Sequence, residues 1–470
     1  MQQTKQILRL DEATSYAQWR DAALAHDERS GAASWRARDR SDRYDYKNIR
    51  FRLEELRRVR RGRDPHQLVF YFNEGIHGNM GGIGGPAMYR RAKFGTKDLI
   101  TEYINELATG LRQIAAIDHR TFSTAKKVEL FNRTAQCFGR SALMLSGGGS
   151  LGPFHLGVIQ ALIEQDLMPN VISGSSAGSI VAALIGTRGT ASLATDLDAA
   201  AIGQTMDELT ANNEKGARIG IDSLRAFIEA QIPDMTFAEA FEASGVRINI
   251  SISPRELHQR SRLMNAITSP NVFIRETVLA SCAIPGVFPP VTLAARNSAG
   301  NRQSYIPSRQ WVDGSVMDDL PSRRLMRLYG VNHFITSQTN PMVLWALVDS
   351  QAQDGLFARL WEIGQNASKD LLRATYPFAM QVTQGIYPLS LMTRLAYGVA
   401  TQDYTADINI LPRQRFFRPS KLLGVLSQAE IDELVREGEI ATWPKIEMIR
   451  NCTKISRTID ELLIELNADH

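Results

Sequence analysis

Hydrophobic positions change their period along this chain. Up to about residue 138 they recur at helical spacing. Tyr16, Trp19, Ala22 and Ala23 form one short set, Ile49, Leu53 and Leu56 mark a helix over 46–61, and Leu99, Ile100, Tyr103, Ile104, Leu107 and Leu111 mark another, which Thr96 is placed to cap. From Ser141 onward, short apolar runs alternate with helical ones. Residues 142–146 read as a buried strand, 154–164 as a helix, 171–173 as a second strand and 179–185 as a second helix. Further strands are expected at 247–252, 311–314, 333–337 and 407–411, with helices over 196–243 and 428–467. Alternating strands and helices predict an α/β fold, a mostly parallel sheet flanked by helices. The expected organisation is a helical N-terminal domain (1–138), a catalytic core (139–340) and a mostly helical C-terminal region (341–470) packing on that core.

Two segments add surface questions. The 46–61 helix carries Arg50, Arg52, Arg57, Arg58, Arg60 and Arg61 away from its apolar side, diluted by Glu54 and Glu55. Residues 376–400 are apolar, with Arg394 their only charge. Each reads first as ordinary structure, a solvated helix face and a core or dimer-packing pair, and second as a lipid-surface contact. Net charge is +4 with 44% hydrophobic residues, which describes a globular chain and gives no basis for nucleic-acid binding. Cys137, Cys282 and Cys452 are odd in number and far apart, which argues against a disulfide framework or a zinc site and fits a reducing compartment. The first residues, MQQTKQILRL, lack the apolar core of a secretory signal, and no run is long enough to span a bilayer. The expected location is cytoplasmic, peripheral to a membrane or lipid surface. The glycine-rich stretch 77–86 lacks the Lys-Ser/Thr of a phosphate loop and reads as a structural turn.

The chemistry centres on residues 174–178, Gly-Ser-Ser-Ala-Gly, between the second strand and its helix. G-x-S-x-G at such a junction is the form of a nucleophile elbow: Ser176 sits on a bend too tight for bulky neighbours, which Gly174, Gly178 and Ala177 respect. Upstream, Gly147, Gly148 and Gly149 follow the first strand. They also satisfy G-x-G-x-x-G with Gly152, but the acidic residue a dinucleotide site expects at the end of the second strand is missing. Backbone N–H groups facing a developing oxyanion explain these glycines better. A serine needs a base, and two candidates lie downstream. Asp313 ends a strand ahead of Gly314, and His333 would complete the chain order Ser…Asp…His of α/β-hydrolases. No cofactor or metal is called for.

Three motifs together resemble the patatin-like phospholipases and lipases: GGGSLG (147–152), GSSAG (174–178) and DGS (313–315). The resemblance implies a patatin-like three-layer core and a Ser–Asp dyad without histidine, with Ser176 as nucleophile, Asp313 as base and Gly147, Gly148 and Gly149 as the oxyanion loop. Leu151 stands where many patatins carry Arg or Lys, and His155 with Gly157 completes a GGGxxGxxHxG form similar to eukaryotic lipid-droplet triacylglycerol lipases. SYAQWRDAALAHD (15–27), YDYKNIRFRLEEL (44–56), FGTKDLI (94–100) and GEIATWPKIEMIR (438–450) resemble other parts of that branch. The implied activity is cleavage of fatty-acyl esters of acylglycerols or phospholipids. Acyl transfer at the same site and a catalytically weak lipid-binding module are the alternatives, and a homodimer is possible on this reading.

Overall fold

A computed structural model describes residues 9–62, 64–73, 76–118, 122–196, 220–256, 259–344, 406–413 and 424–468. The chain divides into two compact units. One comprises Met1–Ser141, Met326–His333 and Trp443–His470; the other comprises Ala142–Leu325 and Phe334–Thr442.

The first unit is helical: α1 (Tyr16–Ser30), α2 (Ala32–Ala37), α3 (Tyr46–Arg61), α4 (Pro65–Asn73), α5 (Asp98–Ala115), α6 (Thr124–Phe138) and the C-terminal helix Ile446–Ala468. Amphipathic α3 buries Ile49, Leu53, Leu56 and Val59, and it packs on α5, whose apolar stripe is buried too. The arginine face of α3 is largely engaged within the protein. Arg50 pairs with Asp39, Arg57 with Glu102, and Arg60 with Glu106, while Arg52 donates to Tyr103. Buried charges tie the loops down. The Asp27 carboxylate accepts the Lys93 and Phe94 N–H groups, at 2.8 and 3.0 Å. The Lys97 ammonium donates to the carbonyls of Trp35 and Arg38, at 2.6 and 2.7 Å, and lies 4.2 Å from the Trp35 ring centroid.

Thr96 does not cap α5. Its hydroxyl donates to the Met88 carbonyl at 2.7 Å, and Lys97 stands at the N-cap. The 77–86 stretch is a turn, with Asn79, Gly81 and Gly82 at positive φ and the Gly81 carbonyl accepting from Asp45, the N-cap of α3. Helices run through Gln428–Thr442 and Ile446–Ala468, interrupted at Trp443–Lys445 where Pro444 cannot continue the ladder. The region 341–470 is therefore divided. Its last helix packs on α5 and α6, whereas its described residues before Trp443 belong with the sheet.

The second unit is built on a seven-stranded sheet ordered β4-β3-β2-β1-β8-β9, with β7 also paired to β3. The strands are β1 (Arg140–Leu145), β2 (Val171–Gly174), β3 (Arg247–Pro254), β4 (Arg262–Asn265), β7 (Trp311–Asp313), β8 (Val331–Ser337) and β9 (Ile408–Ile410); β5 (Ala294–Arg296) and β6 (Arg302–Ser304) form a separate hairpin. β1, β2 and β3 run parallel, as do β8 and β9, while β4 and β7 are antiparallel to β3. The parallel strands β1, β2 and β3 are nearly all buried because both faces are covered, and β3 buries Asn249, Ser251 and Ser253 along with its isoleucines. One cover is α7 (Pro153–Glu164), which crosses the helix Gln428–Thr442 at glycines. A Cβ on Gly157 would lie 1.8 Å from the Val435 carbonyl oxygen, and one on Gly438 would lie 2.2 Å from that of Phe154. Among the described residues no helix is long and apolar enough to cross a membrane. The 376–400 segment lies outside the described residues, as do 197–219 of the expected 196–243 helices.

Candidate active site

In parallel sheets, loops at the carboxyl ends of the strands collect functional groups. β1 ends at Leu145 and β2 at Gly174, and the sheet register sets those ends side by side, Leu145 opposite Gly174. The chain then turns directly into α8 (Ala177–Asp196). The turn has no room for side chains: a Cβ on Gly174 would meet the Gly178 carbonyl oxygen at 2.2 Å, and one on Gly178 would meet that of Leu145 at 2.3 Å. Between them Ser176 adopts φ 49, a left-handed conformation costing a non-glycine residue roughly 1–3 kcal/mol. The surroundings hold it there. The Ser176 N–H donates to Ser281 Oγ at 2.9 Å, and Ser281 Oγ donates to the Ser251 carbonyl at 2.8 Å, which ties the bend to β3. The Ser176 carbonyl accepts from the Ser179 N–H and hydroxyl, at 2.8 and 2.6 Å.

Asp313 arrives from the other side of β3. β7 pairs antiparallel with it, Asp313 opposite Ile252, and the Asp313 N–H donates to the Ala283 carbonyl at 2.9 Å. Gly314 must be glycine, since a Cβ there would lie 2.1 Å from the Ser251 carbonyl oxygen. The carboxylate accepts the Ser315 N–H at 2.8 Å. Burial pushes its pKa up to about 6, against the opposing pull of hydrogen bonds from Ser315 and from the Ser176 hydroxyl. Ser176 and Asp313 are both buried, 6% and 1% exposed, so both are shielded from bulk water.

The glycine loop closes the third side. A Cβ on Gly147 would come within 3.3 Å of Ser176 Cβ, and one on Gly148 within 2.1 Å of Thr339 Oγ1. The three amides are not equivalent. Gly147 N–H donates to Asp319 Oδ1 at 2.8 Å, so it is already committed. Among the described residues, the Gly148 and Gly149 N–H groups donate to no protein acceptor. Gly149 takes φ 55 and, with Ser176, lines a cavity of about 160 Å³. Below the loop lies buried His155. Its Nε2 is 3.0 Å from the Ser146 carbonyl, which can only accept, so Nε2 carries the proton and Nδ1 accepts from Ser337 Oγ at 2.7 Å. Burial lowers its pKa to about 4, which keeps it neutral. His333 hydrogen-bonds Ser141 Oγ at 3.0 Å, at the start of β1 and away from the Leu145–Gly147 turn.

The cavity walls are nearly all apolar. α8 supplies Ala177, Ile180, Val181 and Leu184 along one stripe starting next to Ser176, and Leu224, Phe227, Ile284 and Phe288 face them. Ser281, Asp319 and Asn340 escaped the sequence reading: none lies in a motif whose spacing declares a role. Asp319 follows DGS closely enough that a second carboxylate beside Asp313 was a signal available to be read.

Fold and site together define an α/β protein with a strained serine at the end of a parallel strand, a buried carboxylate delivered by a neighbouring strand, and an apolar cavity opening beside the serine. Residues 143–326 match the family model of patatin-like phospholipase, and residues 1–136 match that of a domain of unknown function, DUF3336. The chain is 31% identical over 461 residues to triacylglycerol lipase ptl3 of Schizosaccharomyces pombe, covering 94% of each chain. It is 31% identical to triacylglycerol lipase 4 of Saccharomyces cerevisiae, covering 93% of this chain but 50% of that one. Among solved structures it is similar to VipD from Legionella pneumophila, at 15% identity and a TM-score of 0.29 over 70% of this chain and 67% of that one. The chain belongs to the patatin-like phospholipase family, in the branch that joins this domain to DUF3336.

Proposed function

We propose that this protein is a serine lipid acyl hydrolase that cleaves fatty-acyl esters of acylglycerols through Ser176 and Asp313. The observation that carries the reading is the strained Ser176, held at φ 49 between two glycines at the mouth of an apolar cavity, beside the buried Asp313 carboxylate, whose raised pKa the Ser176 side chain pulls back down. The carboxylate takes the Ser176 proton as Oγ attacks the ester carbonyl. It then returns the proton to the departing alcohol and activates the water that releases the fatty acid. The Gly148 and Gly149 N–H groups, both uncommitted among the described residues, receive the oxyanion, and the Gly147 N–H does not. The cavity takes the acyl chain, whose burial contributes about 0.8 kcal/mol per methylene.

Triacylglycerol is favoured as substrate because relatives matching over most of this chain carry the name triacylglycerol lipase. Peripheral contact with a lipid surface follows from the substrate and is supported by the cavity rim. Ile284 and Phe288 line the cavity, and Val287 between them is 42% exposed. Three of the six arginines of α3, Arg50, Arg57 and Arg60, are paired with carboxylates of their own unit, which reduces what that face offers to such contact. The test is fatty-acid release from emulsified triacylglycerol and phospholipid by wild type, Ser176→Ala and Asp313→Asn. Wild type should release fatty acid, and each variant should lose at least a hundredfold of that rate. Full activity in Ser176→Ala would move the site elsewhere.

A further inference from the structure

Among the groups that the hydrolytic steps leave unused, Asp319 is unusual. It is 1% exposed, lies outside every motif discussed above, and bonds to three separate segments around the elbow. Its Oδ1 accepts the Gly147 N–H at 2.8 Å, its Oδ2 accepts Asn340 Nδ2 at 3.1 Å, and its backbone carbonyl accepts the Ser175 hydroxyl at 3.1 Å. Gly147 opens the glycine loop, Ser175 immediately precedes Ser176, and Asn340 follows the end of β8.

We infer that Asp319 is a positioning residue whose carboxylate fixes the Gly147 amide and thereby aims the next two amides, those of Gly148 and Gly149, at the oxyanion formed on Ser176 attack. The inference rests on the site proposed above and adds a component to it. A glycine run has no side chains of its own to hold its conformation, so its direction must be set from outside. The planar Ser146–Gly147 peptide is held at both ends, its carbonyl by His155 and its N–H by Asp319, while Thr339 Oγ1 donates to the Gly147 carbonyl at 3.3 Å, in the peptide that carries the Gly148 N–H; of these anchors the Asp319 bond is the short charge-assisted one to an amide. Two acceptor oxygens on one rigid carboxylate also fix the loop relative to Asn340, and the backbone contact to Ser175 fixes it relative to the bend. Asp319 touches no reacting atom, so its removal should be felt where the transition state is stabilised and not where the acyl chain is bound.

The experiment measures kcat and KM on a soluble ester and the melting temperature for wild type, Asp319→Ala, Asp319→Asn, Asn340→Ala and Ser176→Ala. Asparagine at 319 keeps an oxygen for the Gly147 N–H and turns its Nδ2 toward Asn340, whose amide can rotate to accept it. The expected result is a kcat lowered about a hundredfold in Asp319→Ala with KM within about threefold, because a catalytic group displaced by about 1 Å costs that much. Asp319→Asn should stay within about fivefold of wild type, and Asn340→Ala should lose about tenfold in kcat at constant KM. If Ser176→Ala is inactive while Asp319→Ala and Asn340→Ala turn over at wild-type rate, the inference falls and the site stands. If Ser176→Ala is active, the site itself is wrong. An Asp319→Asn enzyme as slow as Asp319→Ala overturns the positioning role, since charge and not the bond to Gly147 would then be what matters. If Asp319→Ala does not fold, Asn340→Ala decides, and an unchanged kcat there overturns the inference.

Discussion

Acidifying the enzyme tests the role of Asp313 quantitatively. On the proposed mechanism Asp313 must be ionised to take the Ser176 proton, and burial raises its pKa to about 6. Well below that value the ionised fraction falls tenfold per pH unit, and across the pKa itself less steeply, so kcat/KM on a soluble ester should fall about fivefold between pH 6 and pH 5. Asp319 lies close enough to repel it electrostatically and has its own pKa raised to about 7, mainly by burial. The acid limb therefore belongs to the pair and should bend between pH 6 and 7. Acid unfolding would imitate this limb, and the sign of linkage separates the two. Both carboxyls hold their protons more tightly folded than unfolded, so their contribution to stability is greatest at low pH and declines as pH rises from the ordinary carboxylate range through about 6 and 7. Protonating these two groups at pH 5 costs activity without costing stability. The assay pairs kcat/KM with a melting curve at each pH from 5 to 8.5. Asp313→Asn should lie at least a hundredfold below wild type and show no limb assignable to residue 313. A wild-type profile that is flat from pH 5 to 8 in a folded enzyme would refute the reasoning.

Other expectations concern the frame. Gly157→Ala should lower the melting temperature strongly, by the equivalent of about 1–3 kcal/mol or more, because the new Cβ would sit 1.8 Å from the Val435 carbonyl oxygen and two helices must part to admit it. Ser281→Ala strands the buried Ser176 N–H and the Ser251 carbonyl, and should cost about 1–3 kcal/mol by denaturant titration with a parallel loss of kcat. Leu184→Trp, which narrows the cavity beyond Val181, should shift preference on a chain-length series toward shorter acyl groups while short-chain kcat is retained. Asp319→Asn should gain thermal stability relative to wild type as pH rises from 5 to 8, since the buried charge it removes develops over that range.

Much of the sheet unit could be read from the sequence because its signals are local. Apolar runs at 142–146 and 171–173 lie within the observed strands or at their edge, and the glycine requirements at 174 and 178 follow from a junction of fixed geometry. β4 and the β5–β6 hairpin went unread, being short and, in β6, wholly exposed, so no period of apolar residues marks them. Thr96 had a capping residue type in a capping position and was recruited instead by the Met88 carbonyl, a contact no local pattern contains. The roles of Ser281, Asp319 and Asn340 are long-range in the same sense, created by β7 folding back on β3 and by the end of β8 meeting the glycine loop. The sequence also made the three glycines look interchangeable, and only a distant carboxylate distinguishes Gly147 from the other two.

The central claim is that the Ser176 hydroxyl, activated by Asp313, is the nucleophile. Labelling the intact protein with a fluorophosphonate, followed by peptide mass spectrometry, tests it most directly. The account predicts a single phosphonyl adduct on Ser176 in wild type, formed at least a hundredfold more slowly in Asp313→Asn. An adduct on another residue, or equal labelling rates in the two proteins, would contradict it.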